Sequence, residues 1–318
     1  MHHAGDRVER KGRMMAGDHL CREQAECLAQ VLGCGAVEVH AIGGETRTYR
    51  IGGTDDLVTV TLDWPLKMTS PADLSRRVEM QRRIGDRVSV PVPNVVRVRD
   101  DFGLVVIRLL DGTRLIDLPA IRRSDFGPVV AREIGTLLGQ LHTADPDSYA
   151  ALVPVDDYSP DEWKYEAAEL AEVLGTVLDA EQRSDVRRFL TMPPPASASR
   201  LVLSHNDLGI EHVLVSSASP AAPNQRVTGV IDWDDAAITD PAYDFGLLLR
   251  DLGPAALDIA LGAYARTGAT AEGVVERAAF YAACKLLEDL AFGHEQDRPE
   301  YVEKSLGAWT WTFCAAGT

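Results

Sequence analysis

The hydrophobic period of this chain changes once, near residue 110, and that change limits the possible folds more than any other feature. Before it, VEVHAI (37–42), TRTYRI (46–51) and LVTVTL (57–62) follow one another, separated by Gly43-Gly44 and Gly52-Gly53. Short alternating apolar segments bounded by glycines predict strands joined by turns, here a three-strand antiparallel meander. One helix is expected before it, from Asp18 as N-cap to Gly33, and one after it, from about Pro71 to Ile84. VPVPNVVRV (90–98) is broken by prolines and leads toward the strand LVVIRLL (104–110). Beyond Asp111-Gly112 apolar residues recur at helical spacing over 128–142, 160–190, 241–252, 254–266, 271–293 and 299–313. Strands followed by helices predict an α+β fold of two parts. Residues 1–110 form a small antiparallel-sheet domain, with 1–15 as a loose tail, and 111–318 form a helical domain.

Charge excludes some functions. The chain has 32 Lys+Arg against 48 Asp+Glu, a net charge of −16. Phosphate backbones need unopposed cations, so nucleic acid is excluded as a partner. A negative surface concentrates cations, which favours a cationic small molecule, although most of the acid reads as solubility. No apolar stretch approaches the roughly 18 residues of a membrane span. Arg7, Arg10, Lys11 and Arg13 are not followed by an apolar core, so no signal peptide is expected. Five cysteines without a C-x-x-C pattern predict free thiols, and hence a cytoplasmic protein. Oligomeric state is not legible.

The chemistry concentrates in LVLSHNDLGIEHVLV (201–215) and VTGVIDW (227–233). Polar clusters at the ends of short apolar strands are where side chains leave the core. Asp207 stands at one such end, His212 follows five residues later before a new strand, and Asp232 closes the next. If the last two strands form a hairpin, His212 and Asp232 meet. Phosphoryl transfer needs a carboxylate to receive the proton of the attacking hydroxyl, and ligands that hold Mg²⁺ against the phosphates. Asp207, His212 and Asp232 fit that need jointly. His205 alone reads as a buried ring bonded to backbone.

These residues carry a resemblance. HNDLGIEHVLV resembles the catalytic loop of the aminoglycoside and macrolide phosphotransferases, and VTGVIDWDDAAITDPAYDFG resembles the strand and helix that follow it there. GGETRTYRI, RRVEMQRRIGDRVSVPVPNVV and REIGTLLGQLHTADP are similar to further family segments, so the likeness spans roughly residues 20–310. The resemblance implies a bilobal protein-kinase-like fold. It implies that Asp207 is the catalytic base, that His212 and Asp232 hold Mg²⁺, and that Asp244 braces the loop from below. It also implies ATP or GTP as phosphate donor. The family usually carries Asn at the position of His212, and its macrolide branch carries His. Asn206 replaces a usual Gly, and Asn is the next most permissive residue. Three D-F-G strings, at 101–103, 125–127 and 244–246, stand in contexts other than the metal motif.

In the N-terminal part, Gly43-Gly44 is expected to turn over the nucleotide phosphates, and Glu79 to supply the helix carboxylate that pairs with a phosphate-binding cation. The third strand carries no Lys or Arg, so Arg50 or Arg47 on the neighbouring strand, or Lys67, must substitute. Asp235, beside Asp234 and just past the metal Asp, is expected to receive a cationic acceptor. Asp156, Asp157, Asp161, Glu162, Glu166, Glu288 and Asp289 read as solvated faces, and Trp163, Tyr281 and Trp309 as core aromatics. The resulting expectation is transfer of a γ-phosphate to a hydroxyl of an antibiotic, which would confer resistance. A kinase of a metabolic hydroxyl (choline, sugar or homoserine type) shares the same signature. The missing third-strand cation admits a non-catalytic kinase-like binding module.

Overall fold

The computed structural model describes residues 21–42, 46–216 and 226–314. The expected tail, the Asp18 cap and the Gly43-Gly44 turn lie outside the described residues. The chain gathers into two compact units. One contains the described residues up to Arg82 together with Pro93–Leu109; the other contains Arg83–Val92 and the described residues from Leu110 onward.

The first unit is a five-stranded antiparallel sheet, in the order β1-β2-β3-β5-β4. Its strands are β1 (Val37–Ile42), β2 (Thr46–Ile51), β3 (Asp56–Thr61), β4 (Val95–Arg99) and β5 (Leu104–Arg108). The expected meander is therefore extended by a β4–β5 hairpin, turned at Gly103 in the left-handed region, φ 67°. Helix α1 (residues 21–32) packs its Leu28 and Leu32 against Tyr49, Val58, Val60, Leu104 and Val106. Gln24 ties that helix to the sheet. Its Nε2 donates to the carbonyls of Thr61, Leu62 and Trp64, while its Oε1 accepts from Arg47 and Tyr49, each at 2.9 Å. Alternation along β2 thus buries Arg47 with Tyr49 and Ile51 and leaves Arg50 exposed. Helix α2 (Pro71–Arg87) follows β3 in sequence.

The second unit is mostly helical. Helices α3 (Ala120–His142), α4 (Pro160–Val173) and α5 (Ala180–Thr191) precede the segment 201–233. Helices α6 (Tyr243–Leu252), α7 (Pro254–Ala265), α8 (Val274–Glu295) and α9 (Pro299–Trp309) follow it. Helices α4, α6 and α9 pack on α8, and α3 packs on α7. The last pair approach closely because Gly135 has no side chain; a Cβ there would lie 2.1 Å from the carbonyl oxygen of Ala260. Two small sheets hold the functional segment. One joins β6 (Thr113–Arg114), β8 (Val213–Val215) and β9 (Val227–Val230); the other joins β7 (Val202–Ser204) and β10 (Ala237–Thr239).

Three expectations about elements are corrected. The helix expected at 128 begins at Ala120 and runs through Pro128, so that proline lies inside it rather than at its start. The single helix expected over 160–190 is two. A 3₁₀ turn at Leu174–Thr176 ends the first, and Asp179 caps the second by a reciprocal box with Gln182, both bonds 2.9 Å. Strand β10 was not expected at all.

Candidate active site

Strands β8 and β9 are antiparallel, with Val213 opposite Val230. The ladder continues one step beyond, where the amide of Ile231 donates to the carbonyl of His212 at 3.0 Å. His212 and Asp232 therefore emerge at one end of the hairpin, with Nε2 of His212 3.5 Å from Oδ2 of Asp232. Nδ1 of His212 donates to the main-chain oxygen of Asp207 at 2.7 Å and lies 3.4 Å from its Oδ2. Burial opposes protonation of His212, but the carboxylates of Asp207, Glu211 and Asp232 outweigh it and raise its pKa. Asp232 has a left-handed backbone, φ 64°, a conformation seldom adopted by residues other than Gly, Asn and Asp. Such outliers cluster at functional sites.

The loop is held from beneath. The fully buried Asp244 of α6 accepts from the amides of His205 at 3.0 Å and of Asn206 and Leu208 at 3.2 Å. Burial pushes its carboxyl up to about 7, against the pull of the backbone donors. Asn206 sits at φ 66°, which accounts for a permissive residue there. His205 is wholly buried, donates from Nε2 to the carbonyl of Ile231 at 3.0 Å, and rests on Trp233 with ring centroids 4.5 Å apart. Burial lowers its pKa to about 4. His142, at the end of α3, bridges Tyr264 and Ser204, 3.0 Å to each, and burial lowers its pKa to about 3.

The acidic residues near the loop separate into two kinds. Asp235 lies in the turn after Trp233, where burial and the nearby Asp207, Asp232 and Asp234 raise its pKa. Asp156, expected to be a solvated acid, accepts at Oδ2 from Nδ2 of Asn206 at 3.1 Å. Its place is set by main-chain bonds: its amide donates to Ile238, and the amide of Ile238 donates to Pro154, both at 2.9 Å. Next to it Tyr158, Trp163, Tyr243 and Tyr281 form a chain of ring contacts at 5.3–6.1 Å. Lys285 of α8 joins this group, with Nζ 2.7 Å from Glu288 and 6.0 Å from the Trp163 ring. Burial disfavours its charge, but Tyr243, Glu288, Asp289 and Asp207 more than restore it. Sequence reasoning missed Asp156, His142 and Lys285 as members of the site.

Of the expected nucleotide residues, Arg50 and Glu79 are described, and each has an ion-pair partner. Gly43 and Gly44 are not among the described residues. Arg50 pairs with Asp55 at 2.6 Å, and Glu79 pairs with Arg82 along its own helix at 2.9 Å. Arg47 is buried against Gln24, and β3 carries no cation.

The donors at His212 and Asp232 suit a hard cation only in part. Among the described residues no cluster of three or more His, Cys, Asp or Glu side chains forms a closed cage. Mg²⁺ characteristically takes one or two protein ligands and leaves the rest to phosphates and water. The hydrogen bond from Nδ1 leaves Nε2 of a neutral His212 as the ligand atom, the usual arrangement for a metal-binding imidazole.

Residues 36–281 match the family described as phosphotransferase enzymes. The chain belongs to the phosphotransferase enzyme family. The viomycin phosphotransferase of Streptomyces vinaceus is 29% identical to this chain over 176 residues, which cover 54% of it and 59% of that protein. The chain thus aligns with well under two thirds of that relative's length. Aminoglycoside 2'-phosphotransferase-IIIa, solved as its GDP complex, is similar in fold, with a TM-score of 0.62 at 20% identity. That similarity covers 91% of this chain and 96% of the other. Macrolide 2'-phosphotransferase MphH from Brachybacterium faecium gives a TM-score of 0.56 at 23% identity, over 89% and 96% of the two chains. The α+β fold of this phosphotransferase-family chain is that of these protein-kinase-like enzymes. Among the described residues no helix is long and apolar enough to cross a membrane.

Proposed function

We propose that this chain transfers the γ-phosphate of ATP or GTP to a hydroxyl of a small-molecule antibiotic and so inactivates it. The observation that carries this reading is the meeting of Asp207, His212 and Asp232 at the ends of three short strands, on a loop fixed by Asp244. On this reading Asp207 accepts the proton of the acceptor hydroxyl and orients its oxygen. His212 and Asp232 would hold Mg²⁺. The bound ion would neutralise charge on the phosphates being cleaved, the main requirement of this reaction. Residues up to 110 would serve the nucleotide, and Arg50 and Glu79 would act there only by leaving their present partners.

The acceptor is inferred to be cationic. Asp156 and Asp235 lie beside the proposed base, and the protein is acidic overall. Relatives described as viomycin, aminoglycoside and macrolide phosphotransferases support an antibiotic over a metabolic alcohol. Solved relatives holding GDP or ADP support a nucleoside triphosphate as donor. A coupled nucleotide-consumption assay tests the proposal, run with ATP and with GTP against viomycin-type peptides, aminoglycosides, macrolides, choline, sugars and homoserine. Acceptor-dependent, Mg²⁺-dependent consumption with at least one antibiotic is expected. Consumption with a metabolic alcohol alone moves the acceptor class. No consumption and no thermal shift with either nucleotide leaves the binding-module reading.

A further inference from the structure

Asp244 secures the first half of the catalytic loop, through the amides of residues 205, 206 and 208. The second half rests on a different structure. Five ionisable side chains are buried together beneath it, none more than 11% exposed: Glu211 from the loop, Arg250 and Asp251 from α6, Asp289 from α8 and Lys304 from α9. Lys304 Nζ lies 2.8 Å from Glu211 and 2.9 Å from Asp289. Arg250 donates to both oxygens of Asp251 at 2.8 and 2.9 Å and reaches Asp289 at 2.7 Å. Asp251 in turn accepts from the amide of Ile210 at 3.0 Å. The loop is shaped to reach this cluster. The Glu211 carboxylate folds back under Gly209, where a Cβ would come within 2.5 Å of it.

Burying three carboxylates and two cations is a poor way to gain stability, because desolvation offsets most of their attraction. Apolar residues of equal volume would serve a mere core as well. What the cluster supplies is geometry, since it grips residues 210 and 211, immediately before His212. Asp289 and Lys304 are carried by α8 and α9, so this support is built from the C-terminal helices. Burial opposes ionisation of Asp251, yet Arg250 and Lys304 hold its carboxyl below the usual carboxylate range.

We propose that Arg250, Asp251, Asp289 and Lys304 are positioning residues for phosphoryl transfer: through Glu211 and the Ile210 amide they fix His212 relative to Asp207, and they make the last helix part of the catalytic apparatus. This rests on the phosphotransferase reading above. The test compares the wild type with Lys304→Met, Lys304→Arg and the paired Lys304→Met/Glu211→Gln variant, which removes one charge of each sign. Lys304→Met is expected to lower kcat about tenfold or more while KM for nucleotide and acceptor stays within about twofold, with Lys304→Arg restoring most of the loss. Hydrogen exchange of the Ile210 amide is expected to quicken in Lys304→Met and in the paired variant. If Lys304→Met does not fold, the paired variant carries the same comparison. A folded variant with unchanged kcat, or with unchanged exchange at Ile210, overturns the proposal. A wild type that phosphorylates nothing overturns the functional reading instead, while the exchange measurement still reports whether the cluster holds the loop.

Discussion

Nδ1 of His212 donates to the main-chain oxygen of Asp207 at 2.7 Å, so the proposed base fixes the ring of the residue five positions on. The bond commits one nitrogen to the loop and turns the other toward Asp232. The proposed ligand and the proposed base are thus parts of one short turn.

Replacing Asp207 by Asn keeps the shape of the loop and removes the proton acceptor. Turnover is expected to fall by about 10²–10⁴, the usual contribution of a positioned base, with the thermal midpoint nearly unchanged. Steady-state kinetics beside a melting curve measures both, and retained turnover would remove Asp207 from the mechanism.

His212→Ala deletes a ligand, whereas His212→Asn offers an oxygen in its place. The alanine variant is expected to need at least about tenfold more Mg²⁺ for half-maximal activity, the equivalent of roughly 1.4 kcal/mol in metal affinity. The asparagine variant should recover part of it, and chelation should silence all forms. A Mg²⁺ titration of the three proteins checks this; identical curves would exclude His212 from the metal.

Asp244→Ala strips three amides, two of them buried, of their acceptor. Each unsatisfied donor costs about 1–3 kcal/mol, so the variant should lose several kcal/mol of stability. Urea unfolding gives the number. A loss under about 1 kcal/mol would mean the loop finds other partners.

Two buried histidines should oppose folding in acid. Burial depresses the pKa of His142 to about 3 and of His205 to about 4, while both rings titrate near 6.5 in an unfolded chain. Below that value the unfolded state binds more protons, so the stability these rings supply at neutral pH is lost as pH falls toward their folded values. The slope is at most about 1.4 kcal/mol per pH unit for each ring. Asp244 works the other way. Burial raises its carboxyl from 3.8 to about 7, so the folded state holds the extra proton in that window. His212 and Asp235, whose pKa values are also raised, act in the same direction as Asp244, so the contribution of the low-pKa rings is read by difference between variants. Melting curves from about pH 7.5 to 4.5 on wild type and His142→Gln should differ in slope by about one proton. Parallel curves would show that His142 is not a source of the acid sensitivity.

Local pattern carried much of this. Alternation and glycines marked β1, β2 and β3 almost to the residue, and the run from His205 to Asp232 carried its chemistry in its spacing. What escaped was either very short or long in range. Strand β10 is three residues, too few for any period to register, and it exists because β7 offers it a partner. Asp156 reaches Asn206 across 50 residues of sequence by a side-chain bond, and it is seated there by main-chain bonds with Ile238, which leave no mark on side-chain patterning. The break after α4 did have a signal, Gly175 followed by the Asp179–Gln182 box, but the apolar spacing runs across it. The absence of a cation on β3 was plain in the sequence, and the fold leaves both neighbouring arginines engaged, Arg47 by Gln24 and Arg50 by Asp55.

The bonds that seat Asp156 beside the loop run from backbone to backbone, between residues 154–156 and Ile238. Such bonds are indifferent to the letters at 155–158. On the proposed function, mutation there would change the chemistry presented to an acceptor while the ribbon that presents it stays in place. A population of such chains could therefore drift from one target compound to another by single substitutions, without first passing through an unfolded ancestor.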